Sequence, residues 1–594
     1  MRLMTGEEGT IELSAAEGNG DIFAEHYVIE VEQGRGSIRA ARPRALLLGV
    51  YDFLRRCGCR FVRPGDKGEV IPKKNISEIS VSADVTPDNR HRGVTIEGAV
   101  SLENVLGLVE WLPKAGFNSY FVQFRNAHEF FRRWYSHEGN DLLPPEPLLE
   151  EESAEFVGRI AEKLRERDMI YHAVGHGWTA ACVGIAANGW KKVPDLPPEK
   201  ADWLAQVNGK RGFFKNTPLN THLCYSKTEV RRAMAEETVK YALAHPEVDV
   251  LHFWLADDSN NVCECAECRK KRLSDWYIMM LNEIDERLKA AGLKTKICFL
   301  VYLDLYWAPE TERIHHPDRF LLMYAPIFRS YTKAAVCGGE KEADIPYVLN
   351  KVVYSDASAP YVRLLRDWKK VFSGDSFDFD YHLMWDINRD FGGETLARVL
   401  FEDIRSLPAL SLNGLISCQL PRAFYPNGLA FYLMGRALSE PSLTLEEIRK
   451  EYYAAAFGKH AEFTRRFYEK TERLVSFPYM RDETDGASAL PGLLEAKEFV
   501  RETLKNFPTE SEDETRAESL AILKFTAENI LHLTEVLTGI LTGAPEEKVA
   551  AANEKRKRFF NQSELRFQPY ADGFYVNMIV DGIVAMKKIG ITPD

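Results

Sequence analysis

A (β/α)8 TIM barrel, preceded by a small α+β domain and followed by a helical one, is the fold class the sequence predicts. Three observations predict it. Eight short apolar runs alternate with longer helix-periodic stretches between His91 and Leu433. Polar and aromatic residues gather at the C-terminal end of nearly every run, which argues against an open doubly wound sheet. After about residue 437 strand signals stop. The expected division is 1–88 for the α+β domain, 89–437 for the barrel and 438–594 for the helical domain.

The elements follow in order. His26 to Glu32 (HYVIEVE) alternates like a half-buried strand. In the next segment Leu46, Leu47, Val50, Phe53, Leu54 and Cys57 recur at helical spacing, and Gly58 stands where a C-terminal cap belongs. The eight strand-like runs are RGVTIEG from Arg92, NSYFVQF from Asn118, MIYHAVGHGW from Met169, VLHFWLADD from Val250, KICFLVYLD from Lys296, RFLLMYAPI from Arg319, SFDFDYHLMWD from Ser376 and GLISCQL from Gly414. Helical stretches such as VLGLVEWLPKAG, FVGRIAEKLRER and DWYIMMLNEIDERLKAAG separate them. Thr444 and Glu447 form a capping-box pattern, and Gly458 ends the helix that follows. The apolar stripe of SLAILKFTAENILHLTEVLTGIL reads as helical core.

Composition bounds the function. At 594 residues the chain exceeds a single core, and 45% hydrophobic with 28% charged residues excludes a disordered or collagenous protein. A net charge of −12 repels phosphate backbones, so nucleic acid is not an expected partner. No stretch approaches the roughly 18 uncharged apolar residues of a membrane span. The opening MRLMTGEEGTIELS lacks an apolar h-region, which leads to the expectation of a cytoplasmic protein. Ten cysteines are too few for a disulfide framework. FGGE at Phe391 lacks the phosphate-loop Lys and spacing, and no G-x-S-x-G elbow occurs.

Barrel chemistry sits on the loops after the strands. The run ends offer Glu97; Gln123, Arg125 and Asn126; His176 and Trp178; Asp257 and Asp258; Asp304, Tyr306 and Trp307; Arg329 and Tyr331; Trp385 and Asp386; and Gln419, Arg422 and Tyr425. Carboxylates among Trp and Tyr make a sugar site: pyranose faces stack on rings, and hydroxyls take polar partners. Glycosidic cleavage needs an acid for the leaving oxygen and a second group for the oxocarbenium charge. Asp257 and Asp258 are the sharpest pair, because adjacent acids are unfavourable unless one is raised in pKa while the other stays charged. Asp304 and Asp386 equally suit helix capping, His176 a structural role, and Trp178, Trp307 and Trp385 packing between layers.

Directly after Asp258 comes Cys263-Glu-Cys265-Ala-Glu-Cys268. Three thiols in a C-x-C-x2-C loop can hold structural zinc with a fourth ligand, for which Cys182, His222 and Cys224 are candidates; alternatively they are reduced thiols that anchor a loop. No open His-rich site points to a catalytic metal, so no cofactor is expected for catalysis.

GVYDFLRRCGCRFVRPG followed by GEVIP resembles the N-terminal domain that precedes the barrel in hexosaminidase-like and α-glucuronidase-like glycosidases. WLADDSNNVCECAEC is similar to the cysteine signature of the domain of unknown function 4838, which overlaps glycoside hydrolase family 163. The resemblance covers roughly residues 40 to 430. It implies a retaining glycosidase acting on β-N-acetylhexosaminides of N-glycan type or from imported oligosaccharides, assisted by the substrate acetamide. It further implies that Asp257 orients the acetamide and Asp258 protonates the leaving group, where related enzymes carry Asp-Glu. An α-glucuronidase-like enzyme would instead bind a uronate through Arg125, Arg329 or Arg422. A carbohydrate-binding barrel without catalysis would keep the aromatic platforms and engage its strand-end acids in salt bridges. The expected partner is an oligosaccharide, and a homo-oligomer is compatible with the sequence.

Overall fold

A computed structural model describes residues 1–18, 20–186, 189–193, 198–336 and 344–589. The last five residues of the expected helical domain, 590–594, lie outside the described residues. Eight parallel strands close into a barrel: β1 (His91–Thr95), β2 (Ser119–Gln123), β3 (Ile170–Gly175), β4 (Val250–Phe253), β5 (Lys296–Val301), β6 (Phe320–Tyr324), β7 (Asp375–Asp378) and β8 (Gly414–Ser417). Each neighbour pairs with the next, and β8 returns to β1. The strands lie within the eight runs to within a residue. They are buried on both faces, which is why they read as apolar runs rather than alternating ones. Within the barrel, the buried His172 and His252 rings share a 2.9 Å hydrogen bond, and Phe121 stacks on His252 at 4.1 Å. Burial pushes both imidazoles well below their ordinary pKa, so this layer is neutral.

The first 88 residues form a four-stranded sheet in the order Thr10–Ala15, Arg35–Ala40, Tyr27–Glu32, Val81–Val85, covered by the helix Pro43–Arg56. Gly49 lets that helix lie on Tyr27, because a Cβ there would meet the ring at 3.0 Å. Gly58, at φ +101°, turns the chain just after the helix. The sheet meets the barrel at the strand starts, away from the loops where barrel enzymes place chemistry. Glu25 bridges Arg44 at 2.7 Å and Arg92 of β1 at 2.5 Å. Burial alone would raise the Glu25 carboxyl, but the two guanidiniums hold it at about 2.

The remainder is helical, with Leu445–Phe457, Ala461–Leu474, Gly486–Lys505, Glu514–Leu541, Glu546–Gln562 and Gly573–Ile589 as its longer members. Thr444 and Glu447 make the reciprocal capping box that their spacing predicts. No helix among the described residues is long and apolar enough to cross a membrane. These helices pack against the strand-end rim. Asp572, just before Gly573–Ile589, accepts the Ala99 N–H of the loop after β1 at 2.8 Å. Gly98, at φ +79°, is required there, since a Cβ would lie 2.4 Å from the Asp572 carboxylate.

Candidate active site

The C-terminal ends of all eight strands line one pocket. Glu97 follows β1, Gln123 ends β2, His176 follows β3, and Trp254 and Asp257 follow β4. Tyr302, Met323, Tyr381 and Trp385, and Cys418 come from β5 to β8 in turn. Two further walls come from outside the barrel: Trp190 from the long connection after β3, and Tyr575 from the C-terminal helix Gly573–Ile589. Gly175, at φ +80°, admits the Trp254 ring, which a Cβ would meet at 2.9 Å. Tyr381 and Trp385 stack face to face, with centroids 5.4 Å apart and planes 13° apart.

Two carboxylates in this pocket have different surroundings. Glu97 is 4% exposed and accepts hydrogen bonds from the Gln123 amide at 3.0 Å and from the Gly98 N–H at 3.2 Å. Burial dominates and lifts its pKa to about 7, against the pull of Arg133 and of these donors. The charge of Asp257 adds to the rise, so the two acids sense one another. Asp257 is half-buried and accepts from the Trp190 indole N–H at 2.7 Å and from the Tyr302 hydroxyl at 3.2 Å. Burial, then the Asp257 charge, raises the Tyr302 hydroxyl well above its ordinary pKa, so it serves as a neutral donor. His176 donates from Nδ1 to the Leu255 carbonyl at 3.0 Å.

Of the residues singled out from the sequence, the pocket gathers Glu97, Gln123, His176, Asp257 and Trp385. The others are held elsewhere. Asp258 has left-handed backbone (φ +63°), and its carboxylate meets Lys215 at 2.6 Å and the Ser259 N–H at 2.8 Å. The expectation that both adjacent acids face the substrate is thus corrected: the turn sends their side chains apart. Trp178 is fully buried and donates to the His252 carbonyl, so it packs between layers, and Arg125 lies over it while pairing with Glu237. Asp304 accepts from the Asn260 N–H and the Tyr354 hydroxyl, and burial raises it to about 6. Tyr306 donates to the Ala325 carbonyl and Trp307 to the Ile345 carbonyl. Asp386 pairs with Arg389 and Arg481. Arg422 ties the loop after β8 to Asp572 and to the Ala571 carbonyl, and Tyr425 accepts from Asn529.

Arg329 and Tyr331 belong to a buried network. Arg329 pairs with Asp380 and Asp403 at 2.8 Å each, Tyr331 donates to Asp380, and His382 meets Asp403 at 2.7 Å. Replacing Arg329 with Met is expected to lower the unfolding free energy by about 3–5 kcal/mol, because two buried carboxylates lose their cation. Urea unfolding monitored by tryptophan fluorescence measures it.

Sequence reasoning missed Trp190, Trp254, Tyr302, Tyr381 and Tyr575. Tyr302 directly follows β5 and Tyr381 lies three residues after β7, so a strict rule of taking every residue after a strand would have found them. Nothing local marks Tyr575, which sits on a helix of the last domain.

Beside the pocket, Cys263, Cys265 and Cys268 converge with Cys224, all four Sγ atoms lying within 4.8 Å of one another. None forms a disulfide. Of the other candidate ligands, Cys182 contacts Met234 and His222 contacts Tyr225, outside this cluster.

No family model matches the chain, and no curated protein matches it in sequence. Among solved structures it is similar to a family GH115 4-O-methyl-α-glucuronidase with specificity for decorated arabinogalactans, with TM-score 0.55, 10% identity, and coverage of 94% of this chain and 70% of that one. It is also similar to a family 89 glycoside hydrolase from Clostridium perfringens in complex with GlcNAc-α-1,4-galactose, with TM-score 0.54 and 11% identity. That match covers 93% of this chain and 62% of the other. At such identities the likeness is one of fold, and the fold is the TIM barrel found in glycoside hydrolases.

Proposed function

We propose that this protein is a retaining glycoside hydrolase acting on β-N-acetylhexosaminides by substrate-assisted catalysis. In this reading Asp257 holds the acetamide and Glu97 is the general acid. One observation carries it: an aromatic-walled pocket joins a carboxylate served by neutral donors, Asp257, to one that keeps its proton up to about pH 7, Glu97. An acetamide N–H donates to Asp257, which Trp190 and Tyr302 hold in place, and this directs the acetamide oxygen at the anomeric carbon. That oxygen attacks as Glu97 protonates the leaving oxygen, and Asp257 stabilises the positive charge that develops on the acetamide. Glu97, now ionised, takes a proton from the water that opens the intermediate. The stacked Tyr381 and Trp385 offer a flat face to the pyranose ring. The resemblance of WLADDSNNVCECAEC to the cysteine signature of the domain of unknown function 4838 supports the same substrate class.

The competing readings fit less well. The cations considered for a uronate are engaged elsewhere: Arg125 with Glu237, Arg329 with Asp380 and Asp403, Arg422 with Asp572. A barrel without catalysis would have its strand-end acids in salt bridges. Asp258 and Asp386 are so engaged, whereas Glu97 accepts from an amide and a backbone N–H and Asp257 from an indole and a phenol.

Aryl 2-acetamido-2-deoxy-β-glucosides should be hydrolysed with release of the β-anomer first, followed by NMR. The matched β-glucoside, which lacks the internal nucleophile, should be at least about 10²-fold poorer in kcat/KM. Equal rates on the two, or turnover of glucuronides alone, would overturn the reading. Product analysis with native N-glycans then decides between exo and endo action.

A further inference from the structure

We infer that Cys224, Cys263, Cys265 and Cys268 bind one zinc ion in a closed tetrathiolate site, which staples the long connection after β3 to the loop carrying Asp257. With Zn–S bonds of about 2.3 Å, the sulfurs of a tetrahedral site lie about 3.8 Å apart. Cys224 Sγ lies 3.6 Å from Cys265 Sγ and 3.8 Å from Cys268 Sγ. Disulfide-bonded sulfurs would be about 2.05 Å apart.

The surroundings suit thiolates. Backbone N–H groups of Gln206, Ser226 and Cys268 point at the sulfurs of Cys263, Cys268 and Cys265 at 3.3, 3.4 and 3.4 Å. The Arg211 guanidinium lies 3.8 Å from Cys224 Sγ and offsets part of the net negative charge that four thiolates leave around a dication. The cluster is also separate from the main hydrophobic core, and its only other buried apolar member is Ala205. A small patch of thiols with so little apolar surface of its own is a setting in which a bound metal adds folding energy. Four thiolates fill the tetrahedral shell, so the ion takes no substrate.

The consequence reaches the pocket through the backbone. Cys224 follows Leu219 and Asn220 on the same connection. The Leu219 carbonyl accepts the Asp257 N–H at 3.0 Å. The Asn261 amide donates to the Asn220 carbonyl at 2.7 Å and to the Asp257 carbonyl at 2.8 Å. Asp257 is thus held between the two segments that the ion joins, and the cysteines are positioning residues. The metal site does not rest on the glycosidase reading; only its effect on turnover does.

Elemental analysis of full-length protein purified from zinc-supplemented medium should find one zinc per chain. Cobalt-substituted protein should show the intense tetrahedral ligand-field bands and thiolate charge-transfer band of such a site. Cys224→Ser should lose most of the zinc, whereas Cys224→His should keep it. If Cys224→Ser does not fold, chelation of the wild-type protein should lower its thermal midpoint, and added zinc should restore it. Wild-type protein without stoichiometric zinc and without a cobalt charge-transfer band would overturn the site. Zinc held by Cys224→Ser as firmly as by wild type would overturn the assignment of Cys224. These readouts need no substrate, so their failure is distinct from failure of the proposed activity.

Discussion

Asp257→Asn is expected to lower kcat/KM for aryl 2-acetamido-2-deoxy-β-glucosides by about 10²–10³-fold, the range seen when a preorganised group facing developing charge is removed. The loss should be the same for good and poor leaving groups, since the acetamide must be held whatever departs. Trp190 and Tyr302 donate to different oxygens of Asp257, so the Asn side chain can keep the indole bond through its oxygen and donate its amide N–H to the Tyr302 hydroxyl, and the fold should tolerate the change. Asp258→Asn is the matched control. Its carboxylate faces Lys215 and the Ser259 N–H rather than the pocket, so its kcat/KM should stay within about threefold of wild type, the scale of a partly exposed ion pair. A large loss that grows with leaving-group pKa in Asp258→Asn would return the acid role to Asp258 and require that its turn swing inward.

Glu97→Gln should depress turnover of poor leaving groups by about 10²–10⁴-fold while sparing activated aryl glycosides, which depart without a proton. Wild-type kcat/KM should fall on the basic side with an apparent pKa near 7, the value to which burial lifts Glu97, and the variant should lack that limb. Stability gives an independent reading. Glu97 is raised from 4.5 to about 7 in the folded protein. Below the lower value both states are protonated and its contribution to stability is full. Above it the unfolded chain ionises while the folded protein resists, so stability is lost as pH rises through about 7, by up to about 3 kcal/mol. Glu97→Gln removes that loss, so its stability relative to wild type should improve between pH 4 and pH 8 in matched urea titrations. A difference that does not change with pH would mean that Glu97 ionises freely and is not the acid.

The two adjacent acids differ only through the fold. From the sequence alone, Asp257 and Asp258 are equivalent, and the resemblance assigns the proton to the second. The left-handed backbone at Asp258 turns its side chain toward Lys215, some forty residues upstream on the connection after β3. Glu97, the carboxyl that burial raises, lies far away in the chain, just after the first strand. Its elevated pKa needs a pocket that excludes water, and no stretch of sequence encodes that exclusion locally.

What the sequence by itself determined is the barrel. Strands buried on both faces must be continuously apolar, helices between them must be amphipathic, and a chemistry-bearing rim must follow each strand; each of these leaves a local, periodic trace. The capping box at Thr444 and the triplet Cys263, Cys265, Cys268 are legible for the same reason, because their partners lie within a few residues. The tertiary structure alone decided the rest. It brought Cys224 to the triplet from some forty residues away, placed Trp190 against Asp257, and carried Tyr575 to a pocket whose other walls end by Cys418. It also set Arg329 and Arg422 into buried ion pairs, and Tyr331 into a hydrogen bond with Asp380, rather than the pocket. Whether a polar strand-end residue meets substrate or another side chain depends on which distant segment packs against it, and that contact leaves no pattern in the residues on either side.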